Sequence, residues 1–438
     1  MNVLVAENER SKKLLKNAIW LYFFLLIFEG GLRKWILPGL STPLLLIRDP
    51  LAIFLIYQSF KSHYWKPNMY VFIVWSVSII SFSASLLVGH QNLAVAFYGL
   101  RITLLHFPLI FIIGKIFNYQ DVIHMGKVLL IVSIPMTLLI ALQFYSPQSA
   151  FVNRGVGGDI EGAGFSGAMG FFRPPGTFSF TNGNALFYQM AGVFLVYFWL
   201  VPKWINRLLL LVATIALVIS IPLSFSRGLL FSLCITFIFA LFTAFKNSKL
   251  IKRILFAVVG FGVFIIVISQ LEFVSDAIEA FTYRFEAASK FEGGVEGTLI
   301  DRFLGSMFSA FDVASKDPFF GYGLGMGTNA GSQMLTGERE FLIAEGEWGR
   351  LIGEMGLLLG GILIFVRIFF AGELTIRSWK LTRRDNILPW LMLSFALPTI
   401  IQGQWAQPTF LGFSILISGL VVASLKGESV DTVLSNDE

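Results

Sequence analysis

The chain has 438 residues, of which 55% are hydrophobic and only 14% charged, and its mean hydropathy is +0.74. Too little charge is available to cover the surface of a soluble domain of this length. The net charge of +6 is not a nucleic-acid signal, because its Lys and Arg gather between apolar runs, and the single cysteine, Cys234, excludes an intramolecular disulfide or a metal–thiolate cluster.

Apolar runs long enough to cross a hydrocarbon core of ~30 Å recur along the whole chain. They predict an all-α, polytopic membrane helix bundle of about twelve transmembrane helices: 15–32, 41–60, 68–88, 93–113, 127–146, 182–200, 207–222, 229–245, 254–271, 347–370, 387–402 and 408–425. Lys12, Lys13 and Lys16 precede the first run without a small-residue cleavage site, so that run reads as a retained helix. With the N-terminus in the cytoplasm, every inner segment carries Lys or Arg. The short outer loops hold only Arg33, Lys34, Arg154, Arg173 and Arg227. The positive-inside rule therefore places both termini in the cytoplasm. Residues 1–425 read as one transmembrane domain and 426–438 as a disordered cytoplasmic tail.

Two extracytoplasmic loops stand out. Residues 147–181 are glycine-rich and end in Arg173-Pro174-Pro175-Gly176-Thr177-Phe178. Residues 271–346, between the ninth and tenth helices, are too long for a mere connection, and such loops commonly carry function. Their first part, Leu271 to Phe291, has the pattern of a surface-lying amphipathic helix, and a second helix is expected from Leu299 to Ala314. Asp317-Pro318 ends it. The glycines of Gly321-Tyr322-Gly323-Leu324-Gly325-Met326-Gly327 then give either a flexible backbone that approaches a ligand closely or a plain turn-rich linker.

Ionisable residues at membrane depth are functional candidates by default. Glu29 and Arg33 lie four apart and can pair on one helix face. Arg48 and Asp49 sit inside the second span and Arg101 near the middle of the fourth, with no obvious local partner. Structural ion pairing and direct chemistry are both open for these groups. Arg173 and Arg227 lie at the outer boundary beside glycines. Guanidinium groups bind phosphate through two parallel hydrogen bonds, so outward-facing arginines suit a lipid-linked diphosphate or, equally, ordinary phospholipid headgroups. At the start of the tenth span, Glu347, Arg350 and Glu354 share one face. A carboxylate there serves either as a general base or as half of a helix-start charge pair.

The order of these pieces resembles the O-antigen ligase and O-antigen polymerase (Wzy-like) superfamily. The pieces are Arg-Pro-Pro-Gly-Thr-Phe followed by Ser179-Phe180-Thr181-Asn182, then Ser226-Arg227-Gly228 opening a helix, then a large outer loop with Gly-Tyr-Gly-x-Gly, then a Glu-x-Gly helix. The resemblance spans roughly residues 90–425 in layout. It implies a membrane-embedded, GT-C-like, metal-independent inverting glycosyltransferase without cofactors in the bacterial inner membrane. Its donor and acceptor would be undecaprenyl-diphosphate-linked oligosaccharides, and its neighbours a flippase and a chain-length regulator. It puts donor diphosphate binding on Arg173 and Arg227, with Arg101 as a further candidate, and supporting roles on Arg350, Glu354, Glu29 and Arg33. Ligases of the family carry a histidine near the end of the large loop. Here the histidines are His63, His90, His106 and His124, and the matching region offers Glu345 and Glu347 as catalytic residues instead. This departure favours a polymerase of surface polysaccharide over a ligase. Two rival readings are a transporter or flippase of lipid-linked oligosaccharide, which also wants arginines, and a non-catalytic scaffold, which tolerates loss of single charges.

Overall fold

The computed structural model describes residues 2–244 except 163, and 318–427 except 339 and 385. Between them it describes 272–291 and ten scattered positions. Among the described residues the fold is all-helical, with no strand beyond an isolated Ser166–Phe172 bridge. The helices are α1 (Asn2–Gly31), α2 (Arg48–Lys61), α3 (Met69–Leu87), α4 (Leu93–Ile116), α5 (Tyr119–Tyr145), α6 (Thr181–Leu200) and α7 (Arg207–Leu223). They continue with α8 (Arg227–Ala244), α9 (Glu272–Phe291), α10 (Asn329–Thr336), α11 (Glu347–Leu381), α12 (Leu388–Ile401) and α13 (Pro408–Ser424).

Among the described residues, seven segments are long and apolar enough to cross a membrane: Glu9–Ile36, Pro43–Lys61, Met69–Leu87, Leu93–Ile116, Tyr119–Tyr145, Thr181–Leu200 and Glu347–Leu381. α7, α12, α13 and Arg227–Thr243 of α8 are shorter apolar helices. The chain is thus a helical membrane protein. The expected span 254–271 and the expected loop helix 299–314 lie largely outside the described residues, as does the tail beyond Gly427.

Local chemistry explains where several helices begin. Asn68, Asn92 and Asn206 accept from the backbone N–H groups of Val71, Val95 and Leu208 at the starts of α3, α4 and α7. Asn118 and Asp121 form a reciprocal capping box that starts α5 eight residues before the expected 127. α2 starts later than the expected 41, after short 3-10 turns at Pro38–Leu40 and Pro43–Leu46. α11 runs eleven residues past the expected 370. At Gly356 its backbone turns left-handed (φ 78°), which only glycine adopts readily, and the helix kinks there.

α6 lies at the centre and packs against α5, α7, α8, α12 and α13. Its most apolar window is 89% buried, against 22% for that of Pro43–Lys61. The periphery instead exposes Ile53 and Tyr57 on α2, Phe72 and Ile79 on α3, and Phe365 and Phe369 on α11. That is the inverse of a water-facing surface, and it fits a hydrocarbon solvent. With lipid outside, helix association rests on close packing, for which small residues are suited. α4 and α13 use two: a Cβ on Gly114 would run into Val422, and one on Gly419 would lie 2.7 Å from Ile113 Cβ. Gly419→Leu is expected to lower the thermal midpoint in detergent, at a cost of about 1–3 kcal/mol for overpacking. Gly372→Ala, where an added Cβ meets nothing within 4 Å, is expected to leave it unchanged. Equal midpoints for the two variants would contradict this packing.

Candidate functional site

One end of the bundle holds a cavity of about 520 Å³. Its wall is built from the end of α1 (Glu29, Arg33), the start of α6 (Thr181, Asn182), the segment leading into α11 (Glu345, Glu347, Arg350), and the turn from α12 into α13 (Gln404, Gln407, Pro408). Arg173 and Phe180 reach it from the glycine-rich loop, and Gly327 and Asn329 from the large loop.

Arg173 is held by a tightly anchored segment. Its backbone N–H donates to Phe165 O (2.8 Å), and Pro174 O accepts from Asn184 Nδ2 (3.3 Å). Gln143 grips Gly176 from both sides, accepting from its N–H (2.8 Å) and donating to its carbonyl (3.2 Å). Buried Lys34 donates to the same carbonyl (2.6 Å), and Thr177 Oγ1 donates to Ile27 O (2.6 Å). A loop this well tied down presents its arginine already ordered. Arg173 Nε is buried without a hydrogen-bond partner among the described residues. Burial, together with the like charges of Arg284 on α9 and Arg227 at the start of α8, pushes Arg173 down to about 10. It remains a cation at neutral pH, in a locally positive field that an anion would relieve.

Elsewhere in the cavity wall the charges balance within the protein. Glu347 Oε1 accepts from Arg350 Nη2 (2.9 Å) and Arg367 Nη1 (2.7 Å). Its Oε2 accepts from Arg350 Nε (3.0 Å) and the Trp405 N–H (3.1 Å). Arg350 also donates to Glu354 Oε2 (2.6 Å), whose Oε1 accepts from Gly327 N (2.9 Å). Arg367 completes the set with the carbonyls of Ile400 and Gly403 (3.0 Å for Gly403) and stacks 4.0 Å from the Trp405 ring. Four donors on one carboxylate fix its position and occupy its oxygens. Glu345, two residues earlier, is exposed on the cavity wall.

A third group of charges starts at the cavity wall with Glu29 and Arg33 and continues through Arg48 and Asp49 to Arg101. Glu29 pairs across helices with Arg48 Nε (3.0 Å) more closely than with Arg33 Nη1 on its own helix (3.9 Å). Arg33 is turned by a π-helical turn, Leu32–Ile36, toward Ser179 Oγ (2.8 Å) and Ser41 O (2.7 Å). Neighbouring Asp49 takes Arg101 Nη1 (2.7 Å) and His106 Nε2 (2.9 Å), and a second π turn, Ile102–His106, separates those two residues. Arg101 therefore has a partner that sequence spacing does not reveal, and it does not line the cavity.

No family model, curated protein or solved structure matches the chain.

Of the residues singled out from sequence, the cavity gathers Glu29, Arg33, Arg173, Glu345, Glu347 and Arg350. Glu354 stands behind Arg350, and Arg227 acts on Arg173 from beside the cavity. The glycine run 321–327 is no loose linker. Tyr322 N donates to Gly353 O (2.7 Å), Gly323 N to Glu354 O (3.0 Å) and Leu324 N to Ser85 Oγ (2.8 Å). Its glycines approach the protein's own helices, and only Gly327 faces the cavity. Sequence reasoning missed Arg367, although a lone arginine in the apolar run 361–370 was a usable signal. It also missed Arg284, Gln404 and Gln407. No group of three or more His, Cys, Asp or Glu side chains forms a metal cage among the described residues.

Removing Glu347 strands two buried guanidinium groups. Glu347→Ala is expected to destabilise the fold by about 3–5 kcal/mol, read as a lowered thermal midpoint and reduced folded yield in detergent. Glu345→Ala is expected to leave both unchanged. The opposite ranking would mean that Glu347 is not the structural member of the pair.

Proposed function

We propose that the chain transfers an undecaprenyl-diphosphate-linked glycan onto an acceptor sugar hydroxyl, lengthening a surface polysaccharide, as the resemblance to the O-antigen polymerases and ligases implies. One observation carries the reading. An ordered, partly buried arginine, with two more cations around it, lines the same cavity as an exposed carboxylate, Glu345. In this reading the chain crosses the bacterial inner membrane about twelve times with both termini in the cytoplasm. The cavity opens on the extracytoplasmic side, beside a flippase and a chain-length regulator. The Lys and Arg asymmetry between the two sets of loops supports that orientation.

The chemistry follows from charge. Arg173, with Arg227 beside it, holds the donor diphosphate and stabilises the negative charge that grows on its bridging oxygen as the anomeric C–O bond breaks. The acceptor hydroxyl oxygen forms the new bond to that carbon from the opposite face, inverting it. The electron pair of the broken bond leaves on the diphosphate. The hydroxyl proton passes to Glu345 and then to water. Glu347, saturated by Arg350 and Arg367, keeps this wall in register and does not move protons. Holding both sugars in one cavity supplies the orientational part of the rate.

Purified protein given lipid-diphosphate-linked repeat units is expected to yield a ladder of lengthened glycans with release of undecaprenyl diphosphate. Arg173→Ala and Arg227→Ala are each expected to slow it by about 10²-fold or more, and Glu345→Gln by about 10²-fold. Bound donor with no lengthened product from the unaltered protein would overturn the transferase reading in favour of a transporter.

Donor affinity is expected to be flat from pH 7 to 9 and to fall as pH rises through about 10, where Arg173 loses its proton. Fluorescence titration with a labelled lipid diphosphate reads this. In Arg173→Ala the fall is expected to disappear.

A further inference from the structure

Beside the charges, the cavity carries a row of side-chain amides that the diphosphate chemistry does not use. Asn182 Nδ2 donates to Gln407 Oε1. Gln407 Nε2 donates to Gln404 Oε1 (2.6 Å), and Gln404 Nε2 donates to the backbone oxygen of Glu345 (2.9 Å). Three carboxamides from the start of α6 and from the turn into α13 thus join head to tail and end on the candidate proton acceptor. The far end of the row is incomplete, since Asn182 Oδ1 is buried at the cavity wall with no hydrogen-bond partner. In the same cavity two apolar ring faces remain uncovered: Phe180 is 46% exposed and Phe341 50%.

Neutral amides in a row, each presenting both a donor and an acceptor, match the alternating hydroxyls of a sugar better than they match an anion, which wants cations. Exposed aromatic faces take the C–H side of a pyranose ring. We infer that Asn182, Gln407 and Gln404 form the subsite for the acceptor glycan, an uncharged sugar residue whose reacting hydroxyl is thereby set against Glu345. This rests on the glycan-transfer reading above and adds to it the specificity element on the acceptor side. Because the row terminates on the backbone of Glu345, binding a sugar there fixes the glutamate and the acceptor in one frame. Because the amides are uncharged, the subsite favours a neutral or N-acetylated sugar over a uronic acid.

The test separates the two ends of the cavity. The full-length protein in detergent is titrated with inorganic pyrophosphate, and separately with the water-soluble repeat-unit oligosaccharide freed by mild acid from the producing cells' lipid-linked pool. Asn182→Leu and Gln407→Leu are each expected to weaken oligosaccharide binding by about tenfold, the size of one or two hydrogen bonds, and to leave pyrophosphate binding intact. Retained pyrophosphate binding also certifies that the variants fold, and Asn182→Ser is expected to recover part of the loss. Arg173→Ala should do the reverse. Unchanged oligosaccharide affinity in the amide variants would overturn the subsite while leaving glycan transfer standing. A wild-type protein that binds neither probe would overturn both.

Discussion

Everything at the open end of the bundle is built around one carboxylate. Glu347 is the meeting point of two guanidinium groups and a backbone N–H drawn from different parts of the chain, and it lies where water is scarce. Two cations there are tolerated because Arg350 is matched by Glu347 and Glu354, and Arg367 by Glu347 and two backbone carbonyls. The match has a geometric consequence. Arg367 lies on the arm of α11 after the kink at Gly356 and Glu347 on the arm before it, so their 2.7 Å bond ties the two arms together, and Arg367's remaining donors take Ile400 O and Gly403 O, which fastens α11 to the exit of α12. Trp405 follows immediately, and its indole is tied to Thr399 O and Ser414 Oγ, which fastens the entry of α13. The turn that carries Gln404 and Gln407 is thereby set in place by residues that never touch the cavity.

The same economy runs on the other side. Arg48 and Asp49 are adjacent in sequence and would cancel as a dipole, but a helix points neighbours in different directions. One goes to Glu29 and the other to Arg101 and His106. Two π turns, at 32–36 and 102–106, supply the extra rotation that brings Arg33, and Arg101 with His106, onto these partners. π turns of this kind collect at functional sites because they trade regular hydrogen bonding for side-chain direction.

Much of the architecture was legible in the sequence because it depends on composition over long windows. The spans at 68–88 and 182–200 match α3 and α6 to within a residue or two, since apolar length alone defines them. Boundaries shifted where a single side chain decides the start, as with Asn118 at α5, or where polar residues continue a helix beyond the apolar run, as in the last turns of α11. The site was half legible. Glu347 with Arg350 and Glu354 could be paired from spacing, because a helix makes contacts periodic. Asp49 with Arg101 could not, being 52 residues apart, and nor could the amide row, whose members join across 225 residues. Contacts between helices follow from packing, which no local pattern encodes.

The kink at Gly356 gives the glycine-rich stretch of the large loop a second meaning. A left-handed residue inside a helix releases carbonyls from the ladder, and unpaired carbonyls near hydrocarbon are costly. Those of Gly353 and Glu354 are taken up by the N–H groups of Tyr322 and Gly323. The loop therefore finishes the hydrogen bonding of a transmembrane helix, as a splint does for a broken rod. The nine residues of α11 before the kink, which carry Glu347 and Arg350, are braced by the loop as well as by the helix they belong to. A length change between 321 and 327 would shift the splint and with it the slope of the cavity wall.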